Sequence, residues 1–227
     1  CLMCKACTSE CPLGVDVSSL KSEALAARHA IQGVPVRSRV FGAIRALNRL
    51  GSATAPVSNL PGALPVVRRL LDRRLGVAEA RPLPRFDRVS TARWYARRTR
   101  AGSAPMGELT FLADSFTTYT EPGVGRAAIE LLERAGWSVR LESGGCCGRA
   151  ALSKGLVGKA TRQARALAAR LGDGPVVGVE PSCTGMLRDE RIGVTADVRQ
   201  VEPLLLDALD AGRLPLPAHA RPAGRPF

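Results

Sequence analysis

Residues 108–148, ELTFLADSFTTYTEPGVGRAAIELLERAGWSVRLESGGCCG, contain the pattern that decides the fold. Residues 109–113 form a short apolar run that predicts a strand, and residues 124–135 carry apolar side chains at helical spacing. Residues 137–141 alternate in polarity, which predicts a second strand. Strands joined by a single helix pair in parallel through a right-handed crossover, so this stretch predicts a β-α-β unit.

The same alternation continues to residue 211. We predict a helix over residues 152–171, a buried strand over 176–179 and a last helix over 201–211. The order β-α-β-α-β-α predicts the α/β class, with a Rossmann-like three-layer domain around a short parallel sheet. We expect three strands, with consecutive strands side by side.

A short motif follows each of the three predicted strands, and two of these motifs contain cysteine. They are Asp114-Ser115-Phe116, the stretch GGCCG at residues 144–148, and Glu180-Pro181-Ser182-Cys183. In open parallel sheets the residues just past the carboxyl ends of the strands meet in one crevice. The sulfur of Cys183 is therefore expected within about 7 Å of a sulfur of the Cys146-Cys147 pair, the order of a shared-ligand or disulfide contact.

Two interpretations of these three cysteines remain open. In the first, Cys146, Cys147 and Cys183 bind a metal or cofactor, or face a redox partner, and helix N-termini at this edge lower the pKa of the thiols. In the second, they are small side chains that pack in the core. Glycines on both sides of the pair favour the first interpretation, because they let the loop turn its sulfurs into the crevice.

The first half of the chain is predicted to be helical and basic. We expect helices over residues 16–31, 37–50 and 64–75, and an extended connector over 76–107 that Trp94 and Tyr95 fix to a neighbouring surface. The predicted inward stripes of the first two helices are Leu20, Ala24, Ala27 and Ile31, then Val40, Phe41, Ile44 and Leu47, with Arg39, Arg45 and Arg49 outward.

The chain opens with CLMCKACTSECP, residues 1–12, whose spacing C-x2-C-x2-C-x3-C-P is typical of bacterial ferredoxins. In that motif Cys1, Cys4 and Cys7 bind one 4Fe-4S cluster, and Cys11 serves a neighbouring cluster. The alternatives are disulfides of a secreted scaffold and a zinc site. Because the sequence opens on a ligand, we expect an upstream portion that carries the missing partner cysteines.

Composition and charge narrow the function classes. The 227 residues carry a net charge of +13, and residues 1–107 hold 18 basic against 6 acidic side chains. Only four of the basic residues are Lys and aromatic residues make up 4%, which disfavours nucleic-acid binding; an acidic protein domain or anionic lipid is the expected partner of the basic half.

Cysteine usage and hydropathy indicate the compartment. An odd number of cysteines, seven, grouped in motifs, indicates a reducing environment. The sequence contains no run of about 18 apolar residues, the length that would predict a membrane-spanning helix. We expect a cytoplasmic protein, with peripheral contact at the inner face of the membrane as a further option.

Several motifs together resemble one family. GGCCGRAALSKG at residues 144–155 with EPSC at 180–183 resembles the cysteine-rich CCG domain of heterodisulfide-reductase and glycolate-oxidase iron–sulfur subunits. With CLMCKACTSECPLGVDV at residues 1–17 and LADSFTTYTEPGVGRAA at 112–128, the chain is similar to the C-terminal iron–sulfur portion of bacterial FAD-linked 2-hydroxyacid dehydrogenases. Those enzymes oxidise D-lactate, glycolate or D-2-hydroxyglutarate.

The resemblance implies an oxidoreductase fragment that transfers electrons. It implies a 4Fe-4S cluster here, FAD on the missing upstream portion or another subunit, and a quinone or other carrier as acceptor; no flavin fingerprint is visible in these residues. The fragment alone is expected to be inactive. The alternative function is a non-catalytic scaffold whose cysteines hold a structural metal.

The resemblance also sets domain boundaries and shows departures from the family pattern. We expect a partial ferredoxin-type motif in residues 1–35, a helical segment and connector in 36–107, the CCG domain in 108–211, and a tail or truncated linker in 212–227. The full CCG motif has five cysteines, and this chain keeps three of them. Residues 114–119 lack the upstream cysteine, and Met186 stands where C-x-x-C would end.

Overall fold

A four-stranded parallel sheet forms the centre of the second half of the chain. The computed structural model describes residues 10–99, 104–188 and 197–214. The strands are β1 (Glu108–Leu112), β2 (Ser138–Glu142), β3 (Val176–Gly178) and β4 (Val198–Gln200). The predicted α/β class and parallel sheet are confirmed.

Six α-helices that lie wholly within the described residues precede the sheet, together with a short 3-10 helix, Val57–Asn59, and six more α-helices lie between or after its strands. The first group is α1 (Val17–Gln32), α2 (Val36–Phe41), α3 (Ile44–Ala53), α4 (Leu60–Ala63), α5 (Pro65–Leu75) and α6 (Thr91–Arg97). The second group is α7 (Ser115–Tyr119), α8 (Pro122–Arg134), α9 (Arg149–Leu152), α10 (Val157–Leu171), α11 (Pro181–Leu187) and α12 (Val201–Asp210). The short helices α7 and α11 were not predicted, and Gly155 divides the predicted helix over 152–171.

The strand order is β2-β1-β3-β4, which differs from the predicted order in two respects. The strand β4 was not predicted, because it has only three residues and lacks a clear alternation. The strand β1 pairs with both β2 and β3, so β2 and β3 are not neighbours. The chain reverses its direction of growth at β1, and in such sheets the crevice between the two halves is the usual ligand site.

Alternating side chains of the strands supply two hydrophobic cores, one on each face of the sheet. Leu112, Val176 and Val198 pack with α10 and its neighbours. Phe111 and Val177 point to the opposite face and pack with α8. This alternation is what a sheet covered on both faces requires, and it confirms the three-layer arrangement.

The predicted extended connector contains a helix. Ser90 caps α6 by accepting a hydrogen bond from the backbone N–H of Arg93 at 3.2 Å, which starts a helix that periodicity did not show. Trp94 and Tyr95 pack on the core between the sheet and α8, and the Tyr95 hydroxyl donates to the carbonyl of Val139. The prediction that these two aromatic residues fix the connector is confirmed.

The first helix buries a different face from the predicted one. Asp16 caps α1 as expected, but Leu20 and Ile31 are 61% and 85% exposed. Ser18 and Ser22 are buried instead. The turn before α10 approaches the backbone of α1 closely, since a β-carbon on Gly155 would lie 2.9 Å from the carbonyl carbon of Leu25.

The second predicted helix is two helices, α2 and α3, divided at Gly42. Val40, Phe41 and Ile44 are partly buried, as predicted, whereas Leu47 is 41% exposed. The buried positions of α3 are Asn48, Gly51 and Ser52. Small residues are again found where the helix meets its neighbours, since a β-carbon on Gly51 would lie 2.5 Å from the Phe86 ring.

Among the described residues, no helix combines the length and the apolar character that crossing a membrane requires.

An ion pair holds the end of α6 to α8. Arg98 makes two hydrogen bonds to the carboxylate of Glu133, and both side chains are 11% exposed. The Arg98 guanidinium also lies over the rings of Trp94 and Tyr95, 4.9 and 4.5 Å from the ring centroids. Removing it leaves a buried carboxylate without its partner.

We expect Arg98→Ala to lower the free energy of unfolding by about 3 kcal/mol, because one member of a buried pair is removed. The matched control is Arg199→Ala, whose pair with Asp197 is 60% and 57% exposed and is expected to contribute less than about 1 kcal/mol. Urea denaturation of both variants measures the difference. Equal losses in the two would show that the Arg98 pair does not fix α6.

Candidate functional site

A cavity of about 510 Å³ lies at the carboxyl edge of the sheet. The segments after β1, β2 and β3 all line it, and α3 closes one side. The prediction that these segments meet in one crevice is confirmed. The lining includes Asp114, Ser115, Cys146, Cys147, Glu180, Ser182 and Cys183, together with Ile44 and Arg45 of α3.

A carboxylate at the end of each of these three strands holds the backbone of the next segment. Asp114 Oδ1 accepts from the N–H of Phe116 at 2.7 Å and caps α7. Glu142 Oε1 accepts from the N–H groups of Gly144 and Gly145 at 2.7 and 3.1 Å. Glu180 Oε1 accepts from the N–H of Ser182 at 3.1 Å and caps α11. These carboxylates therefore shape the cavity wall, and one oxygen of each already accepts a backbone hydrogen bond.

The sequence contained only part of this signal. Asp114 and Glu180 stand in motifs that were singled out, and Asp before Ser-Phe is a common helix start. Glu142 was missed, because its role depends on a loop that turns back onto the strand end, and no spacing rule shows that.

The cavity brings the three cysteines together. Cys147 Sγ lies 3.0 Å from Cys183 Sγ, within the expected distance. Cys146 and Cys147 also contact each other through their thiols. Cys147 is 5% exposed, whereas Cys146 and Cys183 are partly exposed.

The expected lowering of the thiol pKa values is wrong for the pair. The hydrogen bond with Cys147, followed by burial, raises the pKa of Cys146. The hydrogen bond with Cys146 lowers the pKa of Cys147, but its contact with Cys183 and its burial outweigh this and raise the pKa overall. Burial disfavours a thiolate, and the amides at the starts of α7 and α11 already bind carboxylates.

Close packing against α10 explains two glycines of the loop that carries the pair. Gly148 has φ of +84°, and a β-carbon there would lie 2.4 Å from the carbonyl oxygen of Ala160. A β-carbon on Gly145 would lie 2.5 Å from the side chain of Leu167. We predicted that these glycines let the loop turn freely. In the structure they are needed because the loop packs directly against α10, and this packing places Cys147 beneath α10.

The prediction that Arg45 lies on an outward, solvated helix face is wrong, because this side chain is bound to two loops at the cavity. Its guanidinium donates to the carbonyl of Ser143 and to Ser115 Oγ, the latter at 3.4 Å. It also lies over the ring of Tyr119, 5.6 Å from the centroid. A residue of the helical segment therefore links the loops after β1 and β2, and its charge is the last of the influences on Cys146, opposing the raised pKa.

Of the four cysteines in the opening motif, the described residues include Cys11. Cys1, Cys4 and Cys7 lie outside the described residues, so their predicted role stays a prediction. Cys11 begins a tight turn in which the N–H of Gly14 donates to its carbonyl at 2.9 Å. The backbone N–H groups of Val15 and Leu13 hold the pKa of Cys11 below its usual value.

The cavity cysteines and Cys11 of the opening motif differ in how well their surroundings suit a metal ion. Within residues 10–99, 104–188 and 197–214, no group of three or more His, Cys, Asp or Glu side chains is arranged to hold a metal ion. Two sulfurs on one tetrahedral zinc ion lie about 3.8 Å apart, given zinc–sulfur bonds of about 2.3 Å. The 3.0 Å between Cys147 and Cys183 is shorter than that. At the turn after Cys11, the backbone N–H groups of Val15 and Leu13 favour the thiolate form, which is the form that a metal ligand requires.

Comparison with known proteins gives dehydrogenases, and the resemblance proposed from the motifs is confirmed. The chain is similar to D-2-hydroxyglutarate dehydrogenase of Escherichia coli K12, with 27% identity over 204 residues, 84% of this chain and 20% of that protein. The enzyme of the same name from Pseudomonas putida is 28% identical over the same shares. These likenesses support an oxidoreductase role.

A second type of relative has a different substrate in its name. It is a subunit of the anaerobic glycerol-3-phosphate dehydrogenase of Escherichia coli K12, 28% identical over 162 residues, which are 68% of this chain and 41% of that subunit. The chain thus spans less than half the length of each of these relatives. No family model matches the chain, and no solved structure matches it.

We expect Glu142→Ala to lower the free energy of unfolding by about 1–3 kcal/mol, because two N–H groups of the cysteine loop and Arg170 lose their acceptor. The control is Glu130→Ala, an exposed carboxylate on α8, with an expected change within about 0.5 kcal/mol. Urea denaturation measures both, and the rate of Cys146 alkylation should rise in the first variant alone. An unchanged alkylation rate would mean that Glu142 does not hold the loop.

Proposed function

We propose that this chain is the iron–sulfur electron-transfer portion of an FAD-linked dehydrogenase that oxidises a 2-hydroxyacid of the D-lactate, glycolate or D-2-hydroxyglutarate class. Cys1, Cys4 and Cys7 bind a 4Fe-4S cluster, and Cys11 serves a neighbouring cluster. The observation that carries the proposal is the spacing of these four cysteines in a chain whose relatives are dehydrogenases.

The described end of the motif supports this assignment. The chain turns sharply after Cys11, and backbone N–H groups favour its thiolate. Iron–sulfur clusters are held by thiolates, and hydrogen bonds to sulfur tune their potentials. When bound, a cluster supplies one-electron redox chemistry, and the part of this chain is to hold it through its cysteine thiolates.

The two types of relative support electron transfer over substrate recognition. One is named for glycerol-3-phosphate and the other for D-2-hydroxyglutarate, and overlapping shares of this chain match both. Because enzymes named for different substrates share this portion of chain, its role is expected to be a step that they have in common. The passage of electrons away from a flavin is such a step. We therefore assign substrate oxidation and FAD to a partner domain or subunit, and the electrons to a quinone or another carrier.

The cavity cysteines are not assigned to a cluster in this proposal. Cys146, Cys147 and Cys183 were predicted as metal or cofactor ligands, but three thiols are one fewer than a four-cysteine site requires. The short distance between two of them also does not fit a shared ion, as described above. Their role is independent of the opening motif.

The chain, reconstituted anaerobically with iron and sulfide, is expected to show broad visible absorbance that dithionite bleaches. Cys4→Ser and Cys7→Ser should lose most of this absorbance, whereas Cys11→Ser should lose less, because Cys11 serves a different cluster. Total cluster should fall short of one per chain, since the first site lacks a fourth ligand.

Three results would contradict this assignment. Colourless protein that retains zinc would favour the scaffold alternative. A stable cluster with four cysteine ligands from residues 1–11 would refute the ligand arrangement. Loss of absorbance in Cys11→Ser with retention in Cys4→Ser would reverse the roles of the two positions.

The helical segment is proposed as the surface that binds the flavin-bearing partner. Leu60 on α4 is 65% exposed, and Val66 and Leu70 on α5 are 69% and 53% exposed. The helix α5 also carries the exposed arginines Arg69, Arg73 and Arg74. Such a surface, apolar with a basic surround, fits a partner with an acidic rim. Anionic lipid remains the alternative ligand of this face.

The double variant Leu60→Asp, Val66→Asp is expected to weaken binding to the partner flavoprotein at least about tenfold, or ~1.4 kcal/mol. Both positions are in the first turn of a helix, where Asp is tolerated. Val124→Asp on α8, 49% exposed, is the control and should bind as the wild type does. Calorimetry at physiological salt measures affinity; tighter binding to duplex DNA or to anionic vesicles than to the flavoprotein would refute the assignment.

A further inference from the structure

We propose that Cys147 and Cys183 form a reversible dithiol–disulfide pair, a two-electron redox site in the cavity, with Cys146 as a free third thiol. This inference does not rest on the cluster at the opening motif. It applies to residues that the family resemblance would assign to a metal or cofactor, and it assigns them a different chemistry.

The distance between the sulfurs carries the inference. Cys147 Sγ and Cys183 Sγ are 3.0 Å apart as free thiols. A disulfide bond is about 2.05 Å long, so a movement of about 1 Å closes the bond. The pair is already closer than two ligands of one tetrahedral zinc ion, which lie about 3.8 Å apart.

The CCG motif is incomplete in this chain, and this argues against metal binding as the role of these three sulfurs. Residues 114–119 contain no cysteine, and Thr184, Gly185 and Met186 follow Cys183. The carboxylates nearest the pair, Asp114 and Glu180, are already bound to backbone N–H groups of α7 and α11. The part of the chain that the structure describes has no group of three or more His, Cys, Asp or Glu side chains arranged to hold a metal ion, and two of the three sulfurs face each other.

Exposure assigns a different part to each thiol. Cys183 is partly exposed and lines the cavity of about 510 Å³, which is large enough to admit a small disulfide. Cys147 also lines the cavity but is only 5% exposed. An incoming disulfide therefore meets Cys183 first, and Cys147 is placed to complete the exchange. Cys146 is adjacent in sequence to Cys147, and neighbouring cysteines bond poorly to each other.

The reaction is thiol–disulfide exchange with a low-molecular-weight disulfide as oxidant. The Cys183 sulfur attacks R–S–S–R, forms a Cys183–S–S–R mixed disulfide and releases one thiol R–SH. Burial disfavours the Cys147 thiolate, so this thiol passes its proton to the departing sulfur of R–S as its own sulfur attacks Cys183 Sγ. This step forms the Cys147–Cys183 disulfide and releases a second R–SH. The two thiol protons pass to the two leaving thiols, and two electrons pass from the protein to R–S–S–R.

Oxidation is expected to stabilise the fold. The bond links the loop after β2 to the start of α11 and encloses the helix α10 between them. Closing a loop of that length should raise the thermal midpoint by about 5–10 °C.

Peptide mapping of the Cys146→Ser variant tests the inference. The variant is equilibrated with excess oxidised glutathione, free thiols are blocked with N-ethylmaleimide, and the protein is digested with trypsin. We expect residues 141–149 linked to residues 171–188, which contain Cys147 and Cys183 as their only cysteines in this variant. Excess reduced glutathione should break the link, and the thermal midpoint should follow the same change.

One further variant and the wild-type protein keep the result interpretable. Cys183→Ala changes a partly exposed position, so the fold should persist, while the linked peptide and the rise in midpoint disappear. In wild-type protein, the linked peptide should carry Cys146 outside the link, either alkylated or as a mixed disulfide with glutathione.

Either of two results would overturn the inference. The first is absence of the linked peptide in Cys146→Ser after equilibration, with circular dichroism showing a folded chain. The second is stoichiometric iron or zinc that remains bound, and protects Cys147 and Cys183 from alkylation, when Cys1, Cys4, Cys7 and Cys11 are all replaced by Ser. The second measurement does not depend on whether the opening motif holds a cluster, so failure of this inference and failure of the proposed function are distinguishable.

Discussion

A carboxylate at the carboxyl end of each of the first three strands binds the backbone of the segment that follows, and the cavity depends on this constraint. Glu142 is the clearest case, since one oxygen accepts from two loop N–H groups and from Arg170. The loop thereby turns back over the sheet and carries Cys147 beneath α10. Asp114 and Glu180 do the same for α7 and α11. The carboxyl edge of the sheet forms the base of the cavity, and the hydrogen bonds of the three carboxylates fix which residues of the following segments line it.

The cavity also requires the helical half of the chain. Arg45 reaches from α3 to the carbonyl of Ser143 and to the Ser115 hydroxyl, so one side chain joins two loops of the α/β half. The same half of the chain presents exposed apolar and basic residues on α4 and α5. We infer that the helical half has two tasks, closing the cavity on one side and meeting a partner on the other.

Sequence reasoning recovered what depends on periodicity and spacing. The parallel sheet, α8 and α12 follow from apolar patterns, and the meeting of Cys147 with Cys183 follows from strand ends sharing one edge. The failures have physical causes. The buried face of α1 consists of Ser18 and Ser22, which no hydrophobic pattern indicates, because close approach favours small side chains over apolar ones. The strand β4 has three residues, too few for an alternation. The raised thiol pKa values arise from contacts between the cysteines and from burial, which are properties of the folded cavity.

We propose two separate sulfur chemistries for this chain. The opening motif has the cysteine spacing typical of bacterial ferredoxins, and backbone N–H groups favour the thiolate of Cys11. The cavity has paired thiols at a distance suited to bonding with each other. Relatives that act on different substrates share this portion of chain, which fits a role in passing electrons on.

Electron paramagnetic resonance of the chain bound to its flavoprotein partner tests the central claim most directly. Anaerobic addition of the hydroxyacid that the partner oxidises should reduce an iron–sulfur cluster and produce its low-temperature signal. Replacing Cys4 with Ser should abolish that signal while the flavin is still reduced. A flavin that is reduced by substrate with no cluster signal from the wild-type chain would contradict the account.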